Sequence, residues 1–514
     1  MRLGVPVAVL AVAGTVGVLA PGAAAAATTR YEAETSPAVC TGTIDSDWPG
    51  YTGTGFCNST NAIGAHAQFT VTATAGTSTV QVRFANGTTS TRPADLVVNG
   101  TTVASVPFES TGTWDTWATR TFTVATTAGT NTIRLNPTTS AGLPNLDALD
   151  LTTGDDTPPP TADTLYVAPG GTDGATGTIS DPTTLTSALT RVDAGGTIYL
   201  RGGTYRHTQT ITIAQNNSGT SSARKTITAY QNETPVLNFS AQSEDTANRG
   251  LVIGGSYWTI HGIVVERAGD NGILLAGSNN IIRRTVTRFN RDTGLQLSRL
   301  ASNTPQSQWP ANNLIESSVS HDNADSDGED ADGFAPKLTV GGGNVFRYTV
   351  SHNNIDDGYD LYTKSDTGPI GAVTIEDSLA LDNGTLSDGS QAGNGDRNGY
   401  KLGGEDIGVN HVIRRSIAHG NGKHGFTYNR NLGTMTVSDN VSVGNEERNF
   451  NFDGGSSVFR GNTSCDSGSN DRIIGNSDSS NQFWSGSNGS RCSAYTGSLR
   501  WSFASDGRLV VTFG

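Results

Sequence analysis

SHDNADSDGEDADGFAPKLTVGGGNVFRYTVSHNNIDDGYDLYTK, residues 320–364, states one phrase twice. A Ser-His pair leads through an Asn/Asp-rich corner to a glycine and an aromatic, as DGFAP at 332–336 and again as DGYDL at 357–361. The phrase recurs outward from there as NGILL (271–275), TGLQL (293–297), NGYKL (398–402) and HGFTY (424–428). Its glycines, Gly272, Gly294, Gly333, Gly358, Gly399 and Gly425, are spaced 22, 39, 25, 41 and 26 residues apart. Three spacings fall near one repeat length, and the two long ones require an extra loop each. A second marker keeps step, because SVSH (318–321), TVSH (349–352) and SIAH (416–419) each precede such a corner. Short apolar runs repeating at this length signal a solenoid. Leucine-rich repeats fail on leucine spacing, and helical repeats fail because no segment sustains helical periodicity. The expected fold is all-β, with a right-handed parallel β-helix in which each coil buries its inward face against its neighbours. The run Leu185 to Val192 reads as a short helix capping its N-terminal end.

Stacking has a chemical consequence. Residues at equal offset from the corner glycine form columns about 4.8 Å apart per coil. One position before the glycine the column runs Asn271, Thr293, Asp332, Asp357, Asn398, His424; two positions after, it runs Leu274, Gln296, Ala335, Asp360, Lys401, Thr427. Asp332, Asp356, Asp357 and Asp360 therefore crowd together with Lys401 on the next coil. Four carboxylates repel unless a cation joins them, and oxygen ligands without His or Cys suit Ca²⁺. The chain uses only five lysines (225, 337, 364, 401, 423), and four of them lie within 337–423 beside these carboxylates. Unlike arginine, lysine can shed its proton in a suitable environment.

The rest of the 514 residues set bounds. Gly numbers 64, apolar residues make up 34% and charged residues 16%, which suits β structure with many tight corners. A formal charge of −14 disfavours general nucleic-acid binding. Residues 1–27 read as a secretory signal, with Arg2, an apolar run from Val5 to Ala20, and Ala25-Ala26-Ala27 at the cleavage site. No other stretch offers a membrane span, so a secreted, extracellular protein is expected. Cys40 with Cys57 and Cys465 with Cys492 are the simplest disulfide pairs. The polar, Pro-rich residues 154–163 read as a linker. Before it, residues 28–153 alternate with period two (Val80, Val82 and Phe84; Ile133 and Leu135), the pattern of an antiparallel β-sandwich. After it, 164–514 form the solenoid domain.

Within the first domain YEAE (31–34), GYTGTGF (50–56), TGTWDTW (111–117) and LPNLDAL (143–149) together resemble a carbohydrate-binding module of the family 35 or family 6 type. The resemblance implies a jelly roll with a structural Ca²⁺ at Glu32, Glu34 and Asp147, and a sugar-reading surface at Tyr51, Arg92, Trp117 and Asn145. In the second domain AGDNGILLAGSNN (268–280), NRDTGLQLSR (290–299), the stretch 320–346, DDGYDLYTK (356–364), NGYKLGG (398–404) and HGFTYN (424–429) resemble a family 9 polysaccharide lyase of the pectate lyase type. That resemblance implies calcium ligands Asp332, Asp356, Asp357 and Asp360, and Lys401 as the base of a β-elimination on polygalacturonate. Lys337 is expected to grip a neighbouring uronate. A Gly/Ser-rich insertion at 386–397 departs from the family pattern just before Lys401. The expected partners are pectate and plant cell-wall polysaccharide, with the chain acting as a monomer. Two rivals stand beside this reading. A β-helix hydrolase needs a protonated carboxylic acid, which bound Ca²⁺ disfavours, and a calcium-binding adhesin gives Lys401 no task.

Overall fold

A computed structural model describes residues 28–73, 76–153 and 162–514. The predicted signal (1–27) and residues 154–161 of the linker lie outside the described residues. The chain divides into two compact units, Met1–Pro159 and Pro160–Gly514.

In the first unit, the period-two runs become two antiparallel sheets of six and five strands. Their facing side chains, among them Phe69, Val80, Val82, Phe84, Leu96, Ile133, Leu135 and Leu149, form one buried core. Cys40–Cys57 is a disulfide.

The second unit is a parallel β-helix. Three parallel sheets of 12, 10 and 10 strands run along its length, each coil contributing one short strand to each. The capping helix forms over Leu185–Arg191, with Thr184 as N-cap accepting a bond from the Ser187 N–H. The repeated glycine is a matter of room. A Cβ on Gly358 would lie 2.6 Å from the Gly399 carbonyl and 2.8 Å from the Asn383 amide. Inside the third sheet Phe334, Tyr359, Tyr400, Phe426 and Phe450 stack with centroids 5.4, 4.6, 4.5 and 5.1 Å apart. Each contributes on the order of 2–3 kcal/mol by burial alone.

One corner of the coil is held by buried asparagines. Asn290, Asn323, Asn354, Asn383, Asn421 and Asn445 lie one per coil, and each side-chain amide donates to the next carbonyl at 2.8–2.9 Å. Those same carbonyls accept the backbone N–H of the preceding ladder asparagine. After the last coils, the Cys465–Cys492 disulfide precedes a hairpin, Leu499–Phe503 with Leu509–Phe513. Its Leu499, Trp501, Phe503, Leu509 and Val511 cover Val319, Val350 and Leu379 on the outside of the second sheet.

Candidate active site

The register expected from the sequence is the observed one. Leu274 pairs with Gln296 and Gln296 with Ala335, and further along Asp360 pairs with Lys401 and Lys401 with Thr427. Alternation along each strand sends Tyr359 and Tyr400 inward and their neighbours Asp360 and Lys401 onto the outer face.

Three aspartates divide their oxygens in one way. Asp332 Oδ1 accepts the Asp357 N–H at 3.2 Å, Asp357 Oδ1 accepts the Asn398 N–H at 2.6 Å, and Asp360 Oδ1 accepts the Tyr362 N–H at 2.9 Å. The second oxygens face two lysines. Lys337 Nζ lies 2.7 Å from Asp332 Oδ2 and 3.4 Å from Asp360 Oδ2. Lys401 Nζ lies 3.1 Å from Asp357 Oδ2 and 3.7 Å from Asp360 Oδ2. Asp357 Oδ2 is buried and accepts no hydrogen bond. Among the described residues, only these three carboxylates form a set of metal-ligating groups whose ligand atoms all lie within 4.8 Å of one another. A compact, all-oxygen set with an oxygen left unbonded fits a hard divalent cation.

Asp356 sits beside this set rather than within it. Its Oδ1 accepts the backbone N–H groups of Asp396 and Arg397, tying down the 386–397 insertion. That insertion supplies a residue the sequence reading missed. Asp396 lies 3.1 Å from Lys401 Nζ and 2.9 Å from Lys423 Nζ, and it is one of two acidic residues, with Asp388, in a Gly/Ser-rich loop. Tyr362, also not anticipated, places its ring 5.4 Å from Lys401 Nζ. Lys337, Asp356, Asp360, Tyr362, Asp396 and Lys401 line a cleft of about 480 Å³, with Asp332 and Asp357 buried beneath it.

Burial decides the electrostatics. It pushes Asp357 up to about 6 against the pull of Lys401, and drives Asp332 and Asp356 well above the usual carboxylate range. Burial would depress Lys401, but Asp357, Asp360, Asp356 and Asp332 outweigh it and hold the ammonium well above lysine's ordinary value. The Asp357 corner is fully buried because the next coil stacks on it. Lys337 is 7% exposed, pairs with Asp332 and lines the cleft.

In the first unit, Glu32, Glu34 and Asp147 gather around residues 52–54. Thr52 bonds Glu32 and Asp147, and the Thr54 N–H bonds Glu34. Arg83 pairs with Asp147, so the trio does not converge as the aspartates do, although Glu34 Oε2 is buried without a hydrogen-bond partner. Tyr51 and Trp117 are half-buried and both pack on Phe56. Arg92 and Asn145 are buried; Arg92 bonds Asn61 and the Leu143 carbonyl beneath Trp114.

Comparison with known proteins decides the family. Residues 165–465 match the family described as Pel9A-like, right handed beta helix region. "Pectate lyase L" of Paenibacillus polymyxa (strain SC2) is 52% identical over 322 residues, covering 62% of this chain and 72% of that protein. The chain belongs to the family 9 pectate lyases. "Pectate disaccharide-lyase" of Dickeya chrysanthemi is 35% identical to this pectate lyase over 329 residues, 62% of this chain and 40% of that protein. The crystal structure of pectate lyase Pel9A superposes with a TM-score of 0.57 at 32% identity, covering 65% of this chain and 82% of that one. Residues 29–153 of the lyase match the carbohydrate binding module of family 6. Among its described residues, no helix is long and apolar enough to cross a membrane.

Proposed function

We propose that this pectate lyase is a secreted, calcium-dependent enzyme that cleaves α-1,4-polygalacturonate by β-elimination to unsaturated oligogalacturonates. The observation that carries the reading is the divided set of Asp332, Asp357 and Asp360, each with one oxygen spent on backbone and the other turned towards Lys337 or Lys401. Asp332, Asp357 and Asp360 would hold the ion, with Asp356 at its margin. Bound there, Ca²⁺ would supply the charge that holds the C6 carboxylate, acidifies the C5 proton, and offsets the aspartate field keeping Lys401 protonated. Lys401, having given its ammonium proton to solvent, then takes the C5 proton on its neutral Nζ. The C–H electron pair becomes the C4–C5 double bond, the glycosidic oxygen leaves C4, and that oxygen picks up a proton from solvent. Asp396 and Asp357 hold the Lys401 side chain at the cleft floor throughout.

The signal at 1–27, the module at 28–153, the linker at 154–163 and the lyase domain at 164–514 complete the proposed organisation. In this reading, the module brings the enzyme to wall polysaccharide through Tyr51 and Trp117, with Arg92 and Asn145 shaping the loops beneath, and Glu32, Glu34 and Asp147 would hold a structural Ca²⁺ if Arg83 yields Asp147. The test is polygalacturonate with enzyme, with and without EDTA, followed by ultraviolet absorbance of the unsaturated product. Absorbance that appears with calcium and vanishes with EDTA supports the reading; reducing ends without absorbance would mean hydrolysis. Asp357→Ala should raise the calcium concentration needed for half activity, and high calcium should restore part of the rate. Unchanged calcium dependence removes Asp357 from the ligand set.

A further inference from the structure

The outer face of the third sheet changes character along the helix axis. On the coils before the aspartates, Val252, Leu274 and Ala276 form a buried apolar cluster with Leu300 packed against it. After Lys401 the same column continues as Thr427, Asn451 and Arg472, in pairwise register. A second cleft of about 290 Å³ opens there, sharing Asp396 with the first and lined by Lys423, Arg430, Arg448 and Arg472 against Asp396 and Asp453. His424, in the same lining, is 6% exposed, and its Nδ1 is buried without a hydrogen-bond partner.

The cations are held loosely. Arg472 bonds Asp453 at 2.8 Å with side chains 53% and 41% exposed; Arg448, 29% exposed, donates its Nε–H to the Asn470 carbonyl at 3.1 Å and leaves its Nη1 3.8 Å from Glu447. Such exposed pairs are worth about 0–1 kcal/mol, so a polymer carboxylate can replace either partner at little cost. From Lys401 to Arg472 is three strand spacings, about 14 Å at about 4.8 Å each, room for several sugar rings.

We infer that these coils are an anion-gripping extension of the groove. Uronate carboxylates on the C-terminal side of the reacting sugar bind Arg448 and Arg472, with Lys423 at the junction, so that the polymer lies along the axis and its charged grip is one-sided. The inference rests on the lyase reading, whose substrate is a polyuronate.

The test uses the full chain carrying Lys401→Ala, which binds without turnover. Affinity for a saturated galacturonate hexamer is measured by calorimetry in calcium buffer, with and without Arg448→Gln and Arg472→Gln. Losing two such charge contacts should weaken binding about tenfold, and a neutral galactose hexamer should show no difference between the two proteins. Arg448→Lys with Arg472→Lys, which keeps the charge, should restore most of the affinity. Unchanged affinity in the glutamine variant overturns the inference, as does equal weakening by the glutamine and lysine pairs. A wild-type enzyme that binds the hexamer but forms no ultraviolet-absorbing product counts against the lyase reading alone. In the active background the glutamine pair should raise KM for polygalacturonate far more than it lowers kcat.

Discussion

Replacing Lys401 by alanine tests base and electrostatics together. Five carboxylates, Asp332, Asp356, Asp357, Asp360 and Asp396, cluster in or beneath this cleft around Lys337, Lys401 and Lys423. Removing Lys401 leaves Asp357 Oδ2 buried with no ion-pair partner within reach, because Lys337 is turned to Asp332 and Asp360. Breaking a buried pair from one side costs about 3–5 kcal/mol. The Lys401→Ala protein in EDTA should therefore melt well below wild type, and calcium should return most of that loss by neutralising the stranded aspartates. On the rate side, loss of a positioned base costs about 10²–10⁴-fold, read as the initial slope of ultraviolet absorbance on polygalacturonate at saturating calcium. A variant that eliminates at near wild-type rate would place the base elsewhere. A variant whose melting temperature in EDTA equals that of wild type would refute the claim that Lys401 neutralises the aspartates.

Since the carboxylates hold Lys401 above its ordinary value, only a small neutral fraction exists near neutrality; kcat/KM should climb with pH from 7 to 9, and a flat or falling profile would contradict a lysine base. Burial depresses His411 to about 3, and its Nδ1 accepts the Val373 N–H at 3.1 Å. The unfolded chain then takes up a proton that the native one refuses, so this contribution is intact above pH 6.5 and falls away as pH drops towards 3, by on the order of 5 kcal/mol. Urea unfolding at pH 7 and 4.5 should show this acid-side loss, and His411→Asn should flatten it; identical slopes would clear His411 of the role. Tyr400→Ala opens the aromatic stack at its middle and should cost about 3–5 kcal/mol, read by urea unfolding, whereas Tyr400→Phe loses only the bond to the Ile417 carbonyl and should cost about 1 kcal/mol.

The coil positions were legible because a glycine that no side chain can replace recurs at each corner, and counting from it gives the register. That count placed Asp332, Asp357, Asp360 and Lys401 on one face before any coordinates. It did not say which way each carboxylate turns: the sequence reading grouped Asp356 with its neighbours, whereas its Oδ1 binds the insertion backbone. Asp396 was hidden for a different reason. It belongs to a loop between repeats, where spacing carries no information, and only the folded loop brings it to Lys401. Nor did the count foresee that Lys337 would be drawn in to pair with Asp332, as a charged side chain beside an acidic column can be. The grip at Arg448 and Arg472 follows the same columns, but beyond the last clear phrase at 424–428 the repeat no longer marks itself.

The asparagine ladder separates two jobs within one coil. Successive rungs lie as few as 24 residues apart, from Asn421 to Asn445, and as many as 38, from Asn383 to Asn421, yet their hydrogen bonds differ by only 0.1 Å. The longest interval is the one that contains the 386–397 insertion. A coil that is re-indexed at every asparagine can absorb extra residues without passing a slip to the coil above. Cleft walls can thus be lengthened, shortened or recharged one loop at a time while the column that aligns aspartate with lysine keeps its place, much as type can be reset in a single line of a locked frame.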